Sequence, residues 1–417
     1  MALNTNDTEA LSSVPKALLA NCASCNGLIR WIEKKEYWDE LFCNEAQKEP
    51  AKGSEREKTL LGISRWSLDC LGVRKNHRDF RYGWESSVFC ASDKNNKKLG
   101  ALCRLAPEII ANYEEEINVS HPEAMFHCYK KLLLKPDGEF GCDVDGQVDD
   151  RMSDLRLSEA VYTHNHRKFL REAIINFIAS RKHDNGSMLL LDVGAGNGSV
   201  LEDAAAIAKK CGENPVLVAI DPSPVAREAC KERLNRYSNN KVYIIDGCME
   251  KPEDIHNRLT ELNLPIKKTF IMAKAALHDR CLGDNDIKNL QEFDYVSQRK
   301  REKRGYIYRD ENWHRVEKYR VINDMITILD KWHSFFPCVT IAIMEAHLVK
   351  STLMSTFNSQ IALLPSYLAH SLSAQYLLPA ADHQLGLELS KYRVSRFIPM
   401  QVLGRKEALM SLAVIEQ

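Results

Sequence analysis

Apolar residues recur at helical spacing in the first third of the chain and gather into short continuous runs afterwards. The segments "PKALLANCASCNGLIRWIEKKEYWDELF" (15–42), "REKTLLGISRWSLDCLGV" (56–73) and "CRLAPEIIANYEEEI" (103–117) place apolar side chains three and four apart, which predicts helices. The polar stretches "NEAQKEPAKGSERE" (44–57) and "SDKNNKKLG" (92–100) read as exposed loops. A turn-rich segment, "KPDGEFGCDVDGQVDD" (135–150), follows and divides a mainly helical part, 1–150, from a second part, 151–417.

The pattern changes beyond that boundary. "DLRLSEAVYTHNHRKFLREAIINFIASRK" (154–182) reads as a helix pair. Then come apolar runs of strand length: "SMLLLDVG" (187–194), "NPVLVAID" (214–221), "KVYIIDG" (241–247), "KTFIMAKAAL" (268–277) and "CVTIAIMEAHLV" (338–349). Near-continuous apolar strands suit a parallel sheet covered on both faces. The amphipathic segments 199–211, 223–237 and 252–262 supply crossover helices, so the expected class is α/β, doubly wound. Two further strand-like runs, "VSRFIPM" (394–400) and "ALMSLAVIEQ" (408–417), close the chain.

Composition narrows the partners. The 417 residues are 44% hydrophobic and 27% charged, with 57 basic and 57 acidic side chains, so no global field favours nucleic acid or an anionic membrane. No apolar run approaches the roughly 20 residues a membrane span needs. The first residues, "MALNTNDTEALSSVPK", lack the basic start and apolar core of a secretion signal, and the expected location is the cytoplasm. Thirteen scattered cysteines fit reduced, buried thiols; the one close pair, Cys22 and Cys25, is expected to pack within a helix.

The candidate chemistry begins at "LDVGAGNG", where the first strand meets the first crossover helix. Gly194, Gly196 and Gly198 stand at alternate positions, which allows backbone angles closed to other residues and a close approach of ligand to main chain. A dinucleotide turn has the spacing G-x-G-x-x-G and would set Asp192 against a pyrophosphate of the same charge. Asp192 suits a cationic ligand instead. Asp221 and Asp246 end the next two strands, so three acids line the crevice at the carboxyl ends of the sheet.

This ordered set resembles the motifs of the class I S-adenosylmethionine-dependent methyltransferases. The resemblance covers 185–417, with 155–185 as lead-in helices. It implies a seven-stranded Rossmann-like methyltransferase sheet whose last strand, "ALMSLAVIEQ", runs antiparallel, and a helical N-terminal part serving as a lid or a dimer contact. It also implies S-adenosylmethionine as cofactor, with Asp192 facing the cation, Asp221 the ribose hydroxyls and Asp246 the adenine amine. Gly247 and Lys274, at the third and fourth strand ends, complete the expected cofactor set.

The acceptor site is expected on the same rim. "AKAALHDRCL" places His278 and Asp279 after the fourth strand, and "IMEAHLV" places Glu345 and His347 at the end of the fifth. One reading makes His278 a general base oriented by Asp279 or Glu345, as in O-methyltransferases with "LHD" at this position. The other makes His278, Asp279 and His347 ligands of a divalent iron, manganese or zinc ion that stabilises an enolate. "LHDR…EAH…AHSLSAQ" is similar to the metal-dependent C-methyltransferases of polyketide loading modules and 2-oxo-acid methylation, which adds Gln375 to the ligand set. His370 and Gln375 share one helical segment, and His164 and His166 in "YTHNHRK" read as solvent-facing.

The basic and aromatic run "SQRKREKRGYIYRDENWHR" (297–315) reads as a solvated face, or a contact for an acyl carrier protein or phosphorylated substrate. The chain has neither the N-P-P-Y tetrapeptide of base-amine methyltransferases nor the Pro-Cys nucleophile of cytosine C5 enzymes, which disfavours RNA. The expected function is therefore methylation of a carbon beside a carbonyl, in a malonyl-type thioester or a 2-oxo acid of natural-product biosynthesis. Hydroxyl methylation, RNA methylation and a non-catalytic scaffold are the alternatives.

Overall fold

The computed structural model describes residues 11, 13–42, 53–73, 77–86, 96–111, 122–135, 151–181, 186–237, 240–264, 266, 268–280, 305–404 and 407–417. The boundary segment expected at 135–150 lies, apart from its first residue, outside them, as do 297–304 of the basic run.

The N-terminal part forms α1 (Lys16–Lys34), α2 (Trp38–Phe42), α3 (Glu55–Cys70), α4 (His77–Glu85), α5 (Asn96–Ala111), α6 (Pro122–Cys128) and α7 (Lys130–Leu134). Most of α1 is buried, Cys22 and Cys25 included, and both thiols are free. The start of α3 carries a capping box. Ser54 Oγ accepts from the Glu57 N–H, and Glu57 accepts from the Ser54 N–H. The loop expected over 92–100 is helical from Asn96, because Gly83 and Gly100 let α4 and α5 meet backbone to backbone. A methyl group on Gly83 would lie 1.9 Å from the Lys97 carbonyl oxygen, and one on Gly100 would lie 2.2 Å from that of Phe80.

The expected helix pair is α8 (Arg151–Val161) and α9 (Arg167–Ser180), joined by a π-helical turn, Tyr162–His166. His164 is exposed as expected, but His166 is buried and lies 3.2 Å from the Ser411 carbonyl oxygen. The turn sets it against β9, and burial holds its pKa down to about 3.

The seven-stranded sheet comprises β1 (Leu189–Val193), β2 (Val216–Ile220), β3 (Val242–Ile245), β4 (Thr269–Lys274), β7 (Thr340–Ala346), β8 (Arg393–Gly404) and β9 (Glu407–Glu416), in the order β3-β2-β1-β4-β7-β9-β8. The first five pair in parallel. β9 runs antiparallel between β7 and β8, as expected for the last strand. A separate hairpin, β5 (Tyr308–Arg309) and β6 (Arg315–Val316), follows β4 and was not legible as strands.

Both faces of the sheet are covered. Leu189, Leu191 and Val193 face one apolar core with α13 (Lys318–Phe335), and Leu190 faces another with α9 and α10 (Ser199–Lys210). The crossovers α11 (Pro224–Leu234) and α12 (Pro252–Glu261) complete the doubly wound layer. A third core joins distant parts of the chain: α1, α3 and α5 pack with Leu348, Met354 in α14 (Ser351–Phe357), and Leu364, Leu368 and Leu372 in α15 (Leu364–Leu372). Asn21 fixes that junction. Its buried amide donates to the carbonyls of Asn358 and Ile361 and accepts from the Leu364 N–H, so α1 caps the start of α15. A last helix, α16 (Ala380–Leu389), leads into β8.

Among the described residues, no helix is long and apolar enough to cross a membrane.

Candidate active site

All three glycines of the turn take left-handed angles, with φ of +74° at Gly194, +54° at Gly196 and +78° at Gly198. L side chains rarely adopt such angles, so the spacing records backbone geometry. A methyl group on Gly198 would also meet Cys230 Sγ at 2.7 Å. Gly198→Ala is therefore expected to destabilise the fold by more than the roughly 1–2 kcal/mol of the angle alone. Gly212→Ala, at φ +86° with open space around it, should lose the angle term only. Thermal denaturation of the two variants checks this; equal losses would mean that Cys230 yields freely.

The acids of the crevice differ in surroundings. Asp192 is 1% exposed, and neither carboxylate oxygen has a hydrogen-bond partner among the described residues. Burial pushes its pKa up to about 7, with the Asp221 carboxylate adding to the rise and Lys274 opposing it. An orphaned buried carboxylate is costly and suits a site completed by a cationic ligand. Asp221 accepts from the N–H groups of Gly196 (2.8 Å) and Ser223 (2.9 Å), which locks it beside the turn. Asp246 is exposed and pairs with Arg227 at 3.1 Å. Gly247 has a packing reason, since a methyl group there would meet Ile220 Cγ2 at 3.0 Å.

Lys274 closes β4 and donates to Ser158 of α8. Burial lowers its pKa, against the pull of Asp154, Asp192, Asp279 and Glu345. α8 lies across the glycine turn: Leu155 Cδ2 is 3.2 Å from the position of a methyl group on Gly196, and Glu159 is held by Asn197 (2.6 Å) and Arg233 (2.7 Å). Asp154, on the same helix, is bound by Arg151 at 2.7 Å, and burial raises its pKa. None of these α8 contacts was foreseen, because nothing in a helical repeat says which face meets the crevice.

After β4 the chain turns sharply at Ala275, φ +56°, and brings 276–280 across the carboxyl end of the sheet. His278 Nδ1 bonds to Glu345 Oε2, and Glu345 Oε1 accepts from the Leu277 N–H at 2.9 Å. A carboxylate only accepts, so Nδ1 carries the proton and Nε2 presents its lone pair. Burial alone would lower the His278 pKa; the Glu345 carboxylate, helped by Asp279, outweighs it and raises the imidazole above its usual range.

Nε2 of His278 faces Asp279 Oδ1 at 3.6 Å, and Nε2 of His370 approaches the same oxygen at 3.9 Å. The two rings stand 4.9 Å apart. His370 donates Nδ1–H to the Ser366 carbonyl at 2.6 Å, so its lone pair also points toward Asp279. Burial and the neighbouring His278 hold its pKa down to about 4. Ligand atoms of His278, Asp279 and His370 lie within 4.8 Å of one another.

His347 corrects the expectation. It is 1% exposed, its Nδ1 faces the Leu378 carbonyl at 3.2 Å, and its Nε2 accepts from Ser411 Oγ at 2.7 Å. Both nitrogens are engaged, and His347 ties the chain just after β7 to Ser411 of β9, whereas His370 stands beside His278 and Asp279. Gln375 accepts from Ser373 Oγ at 3.2 Å, and its buried Nε2 has no partner among the described residues. Its neighbour Tyr376 donates its N–H to the His278 carbonyl at 3.0 Å. The solvated face expected for the basic run is found at Glu311, Asn312, His314 and Arg315, which are exposed, but not at the start of its described part. Tyr308 and Arg309 are buried, 5% and 3% exposed, because they pack against α15 and the turn after it.

A doubly wound sheet in this strand order, with a glycine turn and a buried acid at its carboxyl end, is the arrangement expected of the class I S-adenosylmethionine-dependent methyltransferases. Residues 147–397, more than half of the chain, match the family model of the AprA MT2-like domain, and the chain belongs to that family of methyltransferases. No curated protein matches the sequence. Among solved structures, the chain is similar to the DszA carbon methyltransferase, with 11% identity and a TM-score of 0.49 over 99% of this chain and 91% of that one. It is also similar to the trans-methyltransferase CalH in complex with SAH (11%, 0.48, 100% and 92%) and to the CurJ carbon methyltransferase (10%, 0.43, 98% and 96%).

Proposed function

We propose that this S-adenosylmethionine-dependent methyltransferase methylates an acidic carbon beside a carbonyl, in a malonyl-type or 3-oxoacyl thioester or a 2-oxo acid, with His278 as the base. The His278–Glu345 pair carries the proposal. A carbon acid must lose its proton before it attacks the methyl group, and the buried carboxylate both fixes the imidazole tautomer and favours the imidazolium that forms. Nε2 of His278 takes the proton. The carbanion's electron pair then forms the bond to the methyl carbon as the carbon–sulfur bond breaks, releasing S-adenosylhomocysteine. Alignment of donor and acceptor supplies much of the remaining rate. A thioester on a carrier protein and a free acid are both open to this chemistry.

The test uses 3-oxobutanoyl-N-acetylcysteamine as probe in D2O. The expected result is His278-dependent exchange of the C2 hydrogen without S-adenosylmethionine, and a C2-methyl product with it. An O-methyl product would assign the base to a hydroxyl instead.

One observation favours a second reading, in which a divalent metal assists. Two imidazole lone pairs and a carboxylate, from His278, His370 and Asp279, fit a transition-metal site with open positions. Such an ion, when bound, would supply Lewis-acid stabilisation of an enolate. Elemental analysis of protein purified without chelator should then find near-stoichiometric iron, manganese or zinc that is lost in His370→Ala and kept in His347→Ala. Metal-free protein that still binds S-adenosylmethionine would leave His278 as base alone.

A further inference from the structure

The aromatic and basic insert between β4 and α13 has no part in the chemistry above, yet its hydrogen bonds converge on one short segment. Arg309 donates Nε–H to the Ser371 carbonyl at 3.0 Å, Nη2–H to the Leu372 carbonyl and Nη1–H to the Asp310 carbonyl at 2.8 Å. Ser371 and Leu372 end α15 directly after His370. Their carbonyls have no partner within the helix and form the negative end of its dipole. Tyr306 Oη donates to the Tyr367 carbonyl at 2.9 Å and Tyr308 Oη to the Leu377 carbonyl at 2.8 Å, so the insert grips the chain on both sides of His370.

The grip is itself braced. The Arg309 guanidinium stacks 3.7 Å from the centre of the Trp313 ring, and Thr59 of α3 donates to the Trp313 carbonyl at 2.9 Å. α15 has nine residues, too few to hold a register alone, so its ends set where His370 points.

We infer that the insert 305–316 is a positioning element, and that Arg309, by clamping the last carbonyls of α15, sets His370 against His278 and Asp279. This rests on the reading of His278 and its neighbours as the reaction centre. The planar guanidinium spans two carbonyls, a geometry a lysine ammonium does not reproduce.

Nitrogen-15 histidine spectra of the full chain test the inference at constant pH. In the wild type, His370, assigned through His370→Gln, should show the Nδ1–H tautomer. Arg309→Met should turn that signal into a tautomer mixture while His347 stays unchanged, and Arg309→Lys should restore it only in part. With the N-acetylcysteamine probe, Arg309→Met should lower kcat about 10- to 100-fold, with KM and S-adenosylmethionine affinity within about twofold. In a His370→Ala background the same change should add less than about twofold, because residues acting as a unit are not additive. An unchanged His370 signal, or losses that multiply, overturns the role of Arg309. A wild-type His370 without the Nδ1–H tautomer, or His370→Ala at the full rate, overturns the part given to His370, whereas His278→Ala at the full rate overturns the reaction centre itself. If Arg309→Met does not fold, Tyr308→Phe, which removes the hydroxyl that bonds the Leu377 carbonyl, takes its place in both measurements.

Discussion

His278→Ala and Glu345→Gln are each expected to lower methyl transfer by about 10²- to 10⁴-fold and to leave S-adenosylmethionine binding within about twofold. His278 Nε2 is the atom with a free lone pair on the crevice rim, and Glu345 is what keeps the proton on the other nitrogen. The amide oxygen of a glutamine could still accept from the Leu277 N–H, so Glu345→Gln removes the charge while keeping the loop anchored. The double variant should be little worse than either single one, since both remove the same base. The pH profile separates the roles. The base acts only when neutral, and its pKa is raised, so the rate should fall on acidification through a point above the ordinary 6.5. In Glu345→Gln that limb should move to lower pH. Single-turnover rates across pH, with calorimetric titration of S-adenosylmethionine, measure both quantities; a His278→Ala enzyme near the wild-type rate would sink the assignment.

The second large effect concerns the cofactor. Burial without a hydrogen-bond partner pushes the pKa of Asp192 in the free protein up to about 7. If a cation binds only to the ionised form, S-adenosylmethionine should bind about tenfold more weakly at pH 6 than at pH 8, by the ordinary titration factor. Asp192→Asn should flatten that dependence and weaken binding about 10- to 100-fold, the loss of one charge-assisted hydrogen bond. It should also raise the melting temperature of the free protein above pH 7. A carboxyl whose pKa is raised on folding lowers stability as pH climbs from its unfolded value through its folded one, and asparagine has no such charge to bury. Titrations at both pH values and melting curves of wild type and variant check each sign. Binding that stays flat with pH in the wild type would remove Asp192 from the cofactor's cation.

The sheet and most of its rim are written in the hydrophobic pattern. Continuous apolar runs ending in polar residues mark parallel strands, and parallel strands bring their carboxyl ends to one edge. Asp192, Asp221, His278 and Glu345 were therefore legible as neighbours although they span some 150 residues. The alternating glycines were legible too, because a left-handed angle is a demand of the local backbone.

Packing between distant segments is what gives His347 and His370 their different surroundings. His347 follows β7 directly, but β9 inserts beside that strand and Ser411 takes its ring. His370 stands beside His278 and Asp279 on α15, whose start Asn21 caps and whose last carbonyls Arg309 clamps, from positions about 350 and 60 residues away. Periodicity within a segment reports which face is apolar; it holds no record of which distant donors fix the segment's ends, and those donors aim the imidazole.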